Sequence, residues 1–253
     1  MKRALLTTVA SLAALLAPFS AAATVVAADD AGQSTYNSGF DPGMDGGTGF
    51  GPWTITQEAS SGRFVGDSTT NGFTGGGGIN SGTTPRAWGL YANTGTLATA
   101  SRTLDAPLVA GGAIRMSIDS GFVAGGGVVG FNIRNSSDQD LFQLRFAGGD
   151  ASWKKTDAGG DADTGNGFSS DGFDLVLRMT SATTYSATFT KVGDAVGTPF
   201  TGTFSNPAGG QSATIIRFYN FNAGSGSTND MFFNKLEVEE PPLASVSNWE
   251  AYE

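Results

Sequence analysis

The chain has 253 residues, 38 of them glycine and 18 phenylalanine, and a formal charge of −9. It contains no cysteine and no histidine, which excludes disulfide staples, thiolate nucleophiles, Ser-His-Asp chemistry and metal sites built on His or Cys. An acidic surface repels nucleic acid and anionic membranes and keeps the chain soluble; hard-cation binding by its Asp-rich, Gly-rich loops is the alternative reading.

Residues 1–27 read as a secretory signal peptide. Lys2 and Arg3 form a basic head, 4–17 is largely apolar, Pro18 breaks the run, and Val25-Val26-Ala27 is a small-x-Ala finish. The run is shorter than the roughly 20 residues that a membrane-spanning helix needs. The domain is therefore expected to begin at 28, secreted or at the cell surface, with no membrane span once the leader is gone. Loss of Lys2 and Arg3 leaves 12 basic against 23 acidic residues.

Residues 29–51 are polar and Gly-rich, with turn chemistry at Asp41-Pro42-Gly43 and Asp45-Gly46-Gly47. Strands are expected at 52–56 and 63–67, then a loop over 69–85, then strands at 87–91 and 98–104. In 113–120, Ile114, Met116 and Ile118 alternate with Arg115, Ser117 and Asp119, the period of a half-buried strand. The same period marks 129–133 and 142–146, separated by a turn at 135–138. Trp153 sits in a short strand, and 157–171 reads as an Asp- and Gly-rich loop. Strands follow at 173–179, 185–189, 200–204, 214–221 (apolar on both faces, hence central) and 232–238.

Roughly a dozen evenly spaced strands without an amphipathic helix point to one all-β domain over 28–240, a two-sheet antiparallel sandwich. Pro241-Pro242 cannot join a central ladder, so 241–253 is a tail, with Trp249 and Tyr252 in it.

Four stretches carry a resemblance: Gly-Thr-Gly-Phe-Gly-Pro-Trp-Thr-Ile at 47–55, Trp-Gly-Leu-Tyr-Ala-Asn at 88–93, Val-Gly-Phe-Asn-Ile-Arg-Asn at 129–135, and Tyr-Asn-Phe-Asn-Ala-Gly-Ser-Gly-Ser-Thr-Asn-Asp-Met-Phe-Phe-Asn-Lys-Leu-Glu-Val at 219–238. Over most of 29–240 the chain resembles exported, Gly-rich β-sandwich domains of bacterial secreted proteins, some of which end in a PEP-CTERM sorting tail. No apolar helix or basic end follows Val238, so either a sorting anchor is absent or the chain was cut. The group is similar to the concanavalin A-like jelly roll of lectins and laminin G-type modules. That resemblance implies the jelly-roll fold and a lectin-like role.

Some jelly-roll relatives cleave β-glucans with alternating carboxylates on one strand, about 5–5.5 Å apart. Glu237-Val238-Glu239-Glu240 comes nearest but lacks the Asp, and Glu58 stands alone. An enzyme is therefore not expected. Sugar contact needs exposed aromatics beside polar side chains, and the candidates are Trp88, Tyr91 and Asn93, and Trp153 with Lys154. Calcium is the candidate cofactor. One possible site is the 157–171 loop, through Asp157, Asp161, Asp163 and Asp171. Another joins Asp41 or Asp45 to Asn229 and Asp230. The leading expectation is a non-enzymatic carbohydrate-binding domain for a glycan or cell-surface polymer. The alternatives are a self-associating structural or matrix protein and a degenerate glycoside hydrolase.

Overall fold

A computed structural model describes residues 23–72, 78–205 and 212–241. The expected leader up to position 22, the glycine run within the 69–85 loop, and the tail with Trp249 and Tyr252 lie outside these residues. Among the described residues there is no α-helix, and the strands are β1 (Thr24–Asp29), β2 (Thr54–Gln57), β3 (Ser61–Gly66), β4 (Ala87–Ala92), β5 (Leu97–Thr103), β6 (Ala113–Ser120), β7 (Val128–Arg134), β8 (Asp140–Ala147), β9 (Ser152–Asp157), β10 (Gly160–Gly167), β11 (Phe173–Met179), β12 (Thr184–Lys191), β13 (Thr198–Thr203), β14 (Ile215–Phe221) and β15 (Met231–Glu240).

They form two antiparallel sheets packed face to face. The first runs β13-β12-β11-β6-β15-β4-β3, with β1 also on β15, and the second runs β10-β9-β8-β7-β14-β5-β2. The protein is thus an all-β, two-sheet antiparallel sandwich. The apolar β14 lies between β7 and β5, as its two-faced hydrophobicity predicts. Alternation fills the space between the sheets. Ile114, Met116, Ile118, Phe131, Ile133, Leu175, Leu177, Phe218 and Phe233 are all buried in one core. Phe218 of one sheet stacks on Phe233 of the other with centroids 4.0 Å apart.

Two elements differ from the sequence reading. The expected 157–171 loop contains β10. No aliphatic or aromatic face announces this strand. Its ladder to β9 is helped by polar pairs instead: Thr156 and Asp161 sit opposite each other and are hydrogen-bonded, and Asp163 accepts from Ser152 Oγ at 2.8 Å. At a sheet edge one face of such a strand stays wet, so polar residues are tolerated there. The second is β1, which starts at Thr24 and so takes in residues assigned to the leader. Ala27 is buried, whereas Val25 and Val26 are exposed.

A charged tie crosses the sandwich. On β5 the inward column is Ala98, Ala100 and Arg102, all buried. The Arg102 guanidinium bonds the carboxylate of Asp29 on β1, and both side chains are fully buried. It also reaches Asp45 at 2.5 Å and the carbonyls of Gly51 at 2.8 Å and Gly46 at 3.2 Å, and it lies 5.0 Å from the centre of the Phe50 ring. The Tyr36 hydroxyl donates to Asp29 and accepts from Trp53 Nε1 at 3.0 Å.

Candidate functional site

The strand alternation that builds the core also sets which side chains face outward on β3, β4 and β15. On β4, Trp88 and Leu90 point into the core and Tyr91 points out. On β15, Met231 and Phe233 point in, while Phe232 belongs to a separate outer cluster with Ile79, Ala87 and Phe64. Tyr91 pairs with Gly62 across the β3–β4 ladder, and Phe64 pairs with Gly89. These glycines matter for space. A Cβ on Gly62 would lie 2.7 Å from the Tyr91 ring, and one on Gly89 would lie 2.3 Å from the Phe64 ring. Each ring therefore lies over the bare backbone of the opposite strand. Tyr91 keeps 37% of its surface exposed.

Beside these rings runs an open groove of about 380 Å³, lined by Phe64, Tyr91, Asn93, Gly226, Ser227 and Asp230. Asp230 follows a single 3-10 turn over Ser227–Asn229. Its backbone N–H donates to the Ser227 carbonyl, and its own carbonyl accepts from Gly121 N–H at 2.8 Å. Its carboxyl group has no hydrogen-bond partner among the described residues, and burial pushes its pKa up to about 7. Asn93 holds the next turn through its backbone: its N–H donates to the Ser60 carbonyl and its carbonyl accepts from Thr96 N–H. Its amide side chain bonds nothing described. The groove thus combines ring faces, an amide and a carboxyl group whose polar atoms remain available to a ligand. Such a mixture of apolar wall and a few convergent polar groups is what small-ligand sites are made of.

The expected site residues divide cleanly. Tyr91, Asn93 and Asp230 come together in this groove. Trp88 does not: it is fully buried, wedged among Tyr36, Trp53 and Phe233 at centroid distances of 5.2, 5.1 and 5.7 Å. Trp153 is also core, packed on Phe146, Phe173 and Phe189. Neither tryptophan can stack on a sugar, because inward strand positions are filled first by the largest apolar rings. Phe64 and Ser227 were missed; finding Phe64 needed the register that puts its ring on Gly89.

Most of the candidate calcium ligands have protein partners instead. Asp41 pairs with Arg63 at 2.6 Å and Asp45 with Arg102 at 2.5 Å, and neither bonds Asn229 or Asp230. Asp161 pairs with Arg145 at 2.5 Å, and Asp163 takes the Ser152 hydroxyl. The Asn229 amide donates to the carbonyls of Phe122 and Ala223, both at 2.7 Å, so it braces the loop. Among the described residues, no three acidic side chains gather where an ion could be held. Two of the carboxylates considered for hydrolysis are also engaged: Glu58 accepts from Leu97 N–H at 2.9 Å, and Glu239 is bound by Arg115 and Arg178 at 2.6 and 3.2 Å.

No protein-family profile and no curated protein matches this sequence. Solved structures do share the fold. A protein of unknown function from Shewanella oneidensis MR-1 superposes with a TM-score of 0.51 at 9% identity, covering 94% of this chain and 99% of that one. The catalytic domain of a glycoside hydrolase family 131 protein from Coprinopsis cinerea gives a TM-score of 0.45 at 12% identity, over 72% of this chain and 78% of that one. The receptor binding domain of botulinum neurotoxin D gives 0.45 at 7% identity, over 76% of this chain. This chain spans less than half of the botulinum domain, 45% of its length. At these identities the chain is similar to its structural neighbours in fold alone, as a β-sandwich.

Proposed function

We propose that the protein is an exported, non-enzymatic carbohydrate-binding domain whose ligand lies in the Tyr91 groove. The observation that carries this reading is the Tyr91 ring, laid over Gly62 with an open outer side, with Asn93 and Asp230 beside it. The C–H face of a pyranose covers apolar ring surface. The Asn93 amide can both donate to and accept from hydroxyls, and Asp230 accepts when ionised.

The expected result is that Tyr91→Ala weakens sugar binding at least tenfold, about 1.4 kcal/mol, with an unchanged melting curve. Titration calorimetry after a glycan array reads it. Undiminished binding by the variant removes the groove from consideration.

A second reading, assembly of copies, rests on β1, where Val25 and Val26 are exposed on a strand whose other side carries only the Ala28–Thr48 bridge. A silent array together with concentration-dependent polymers in light scattering would favour it.

A further inference from the structure

Across the Ser227–Asn229 turn from the groove lies a second hollow, of about 280 Å³, walled by Phe122, Val123, Phe146, Phe168 and Asp150. Phe122 is 59% exposed and Phe168 is 37% exposed, which is much ring surface to leave in water. Asp150 Oδ1 is held by Lys154 at 2.9 Å. Its Oδ2 is buried 3.8 Å from the Arg145 guanidinium. The open aromatic wall found at Tyr91 is therefore repeated here, beside a carboxylate held by two cations.

The backbone makes the two hollows neighbours. Gly121 N–H donates to the Asp230 carbonyl, and Phe122 N–H donates to the Thr228 carbonyl at 2.7 Å. The Asn229 side chain closes the same junction on the Phe122 carbonyl. The turn between the hollows is Ser227–Asn229 with Gly226 before it, and a Cβ on Gly226 would meet nothing within 4 Å.

We propose that one glycan chain occupies both hollows, running from the Tyr91 groove over the Gly226–Ser227 ridge to Phe122 and Phe168, so that the protein recognises internal stretches of a polysaccharide. This rests on the carbohydrate reading of the groove. Once one end of a chain is held at Tyr91, its contact with Phe122 is intramolecular, so affinity rises with length without a second binding event.

The test is titration calorimetry with β-linked gluco-, xylo- and chito-oligosaccharides of two to six units, against the parent, Tyr91→Ala, Phe122→Ala and Phe168→Ser. The expected result is affinity that climbs with length in the parent. The two hollow variants should lose at least tenfold toward hexasaccharides while binding disaccharides like the parent. Tyr91→Ala should lose both. If Tyr91→Ala loses binding but affinity is flat with length, or if Phe122→Ala and Phe168→Ser keep the parent's length dependence, the extended site is overturned and the groove stands. Silence toward every oligosaccharide, or full binding by Tyr91→Ala, overturns the groove and the extension with it. Because Phe122 is mostly exposed, its variant should melt with the parent, which separates lost binding from lost folding.

Discussion

Arg102→Ala is expected to lower stability by about 3–5 kcal/mol, the range seen when one partner of a buried ion pair is removed. For a domain of this size that is a fall in Tm of about 6–20 °C. The cost does not come mainly from the attraction lost. It comes from leaving Asp29 as a carboxylate with nothing to neutralise it, fully buried between two sheets. Burial already outweighs both the Tyr36 hydroxyl and Arg102, and lifts the Asp29 pKa to about 6. Without the guanidinium the group would have to take up a proton to stay inside, and the carbonyls of Gly46 and Gly51 would lose a donor. Urea unfolding at pH 7.5 measures the loss. The double variant Arg102→Met with Asp29→Asn should cost clearly less than the single change, because it removes both charges. A single variant within about 1 kcal/mol of the parent would show that the tie does not hold the sheets together.

Stability is also expected to fall as pH rises from about 4 to about 7, with Asp119 and Asp230 as the largest contributors. Asp119 ends β6. One carboxyl oxygen accepts from Asn71 Nδ2 at 2.9 Å, and the other is buried with no partner. Burial, with a smaller push from Asp171, raises its pKa to about 7. Below about pH 4 the group is protonated whether the chain is folded or not. Between the two values the unfolded chain releases the proton and the folded chain keeps it, so folding becomes less favourable. The span from 3.8 to about 7 corresponds to about 4 kcal/mol. Asp29 and Asp230 act in the same direction. Asp138, Asp157 and Glu239 act oppositely: hydrogen bonds and neighbouring cations hold them low, so they stabilise above their unfolded pKa and that gain disappears on further acidification. Thermal melts should therefore peak at about pH 4–5. Asp119→Asn should narrow the gap in Tm between pH 4.5 and 7.5, chiefly by raising the higher-pH value. An unchanged gap would place the titration elsewhere.

The sandwich was legible because period-two alternation is a local signal that survives wherever one face is buried. It placed β6 and β11 at their observed bounds. It failed at β10, whose residues Gly160–Gly167 carry no apolar face to read, and it did not give β1, which begins where the sequence reading placed the end of a leader. Within the site, Tyr91 and Asn93 were found from chemistry, two positions apart and hence on one side of a strand. Trp88 failed on parity, since three positions along a strand from Tyr91 is the opposite face. Arg102 in an inward column of alanines gave no warning, because the acid that justifies it lies 73 residues away. The described partners of the candidate calcium ligands were hidden for a related reason. An Asp in a Gly-rich turn looks the same whether its partner is an ion or an arginine from a distant strand.

The order in which the first sheet can be completed follows from β15. This strand serves β4 with its first residues and β1 with its last, while β6 runs along its other side. The first described strand is therefore seated by the last described one, and the Ala31 N–H finds its acceptor on Asn234, 203 residues later. Closing so long a loop is among the slowest events in folding. During synthesis β1 must wait, with its edge unpaired, for a partner made about 200 residues later. The molecule passes through a long interval in which most of the sandwich can assemble but its first sheet stays open, and Asp29 has not yet reached the arginine waiting for it in the second.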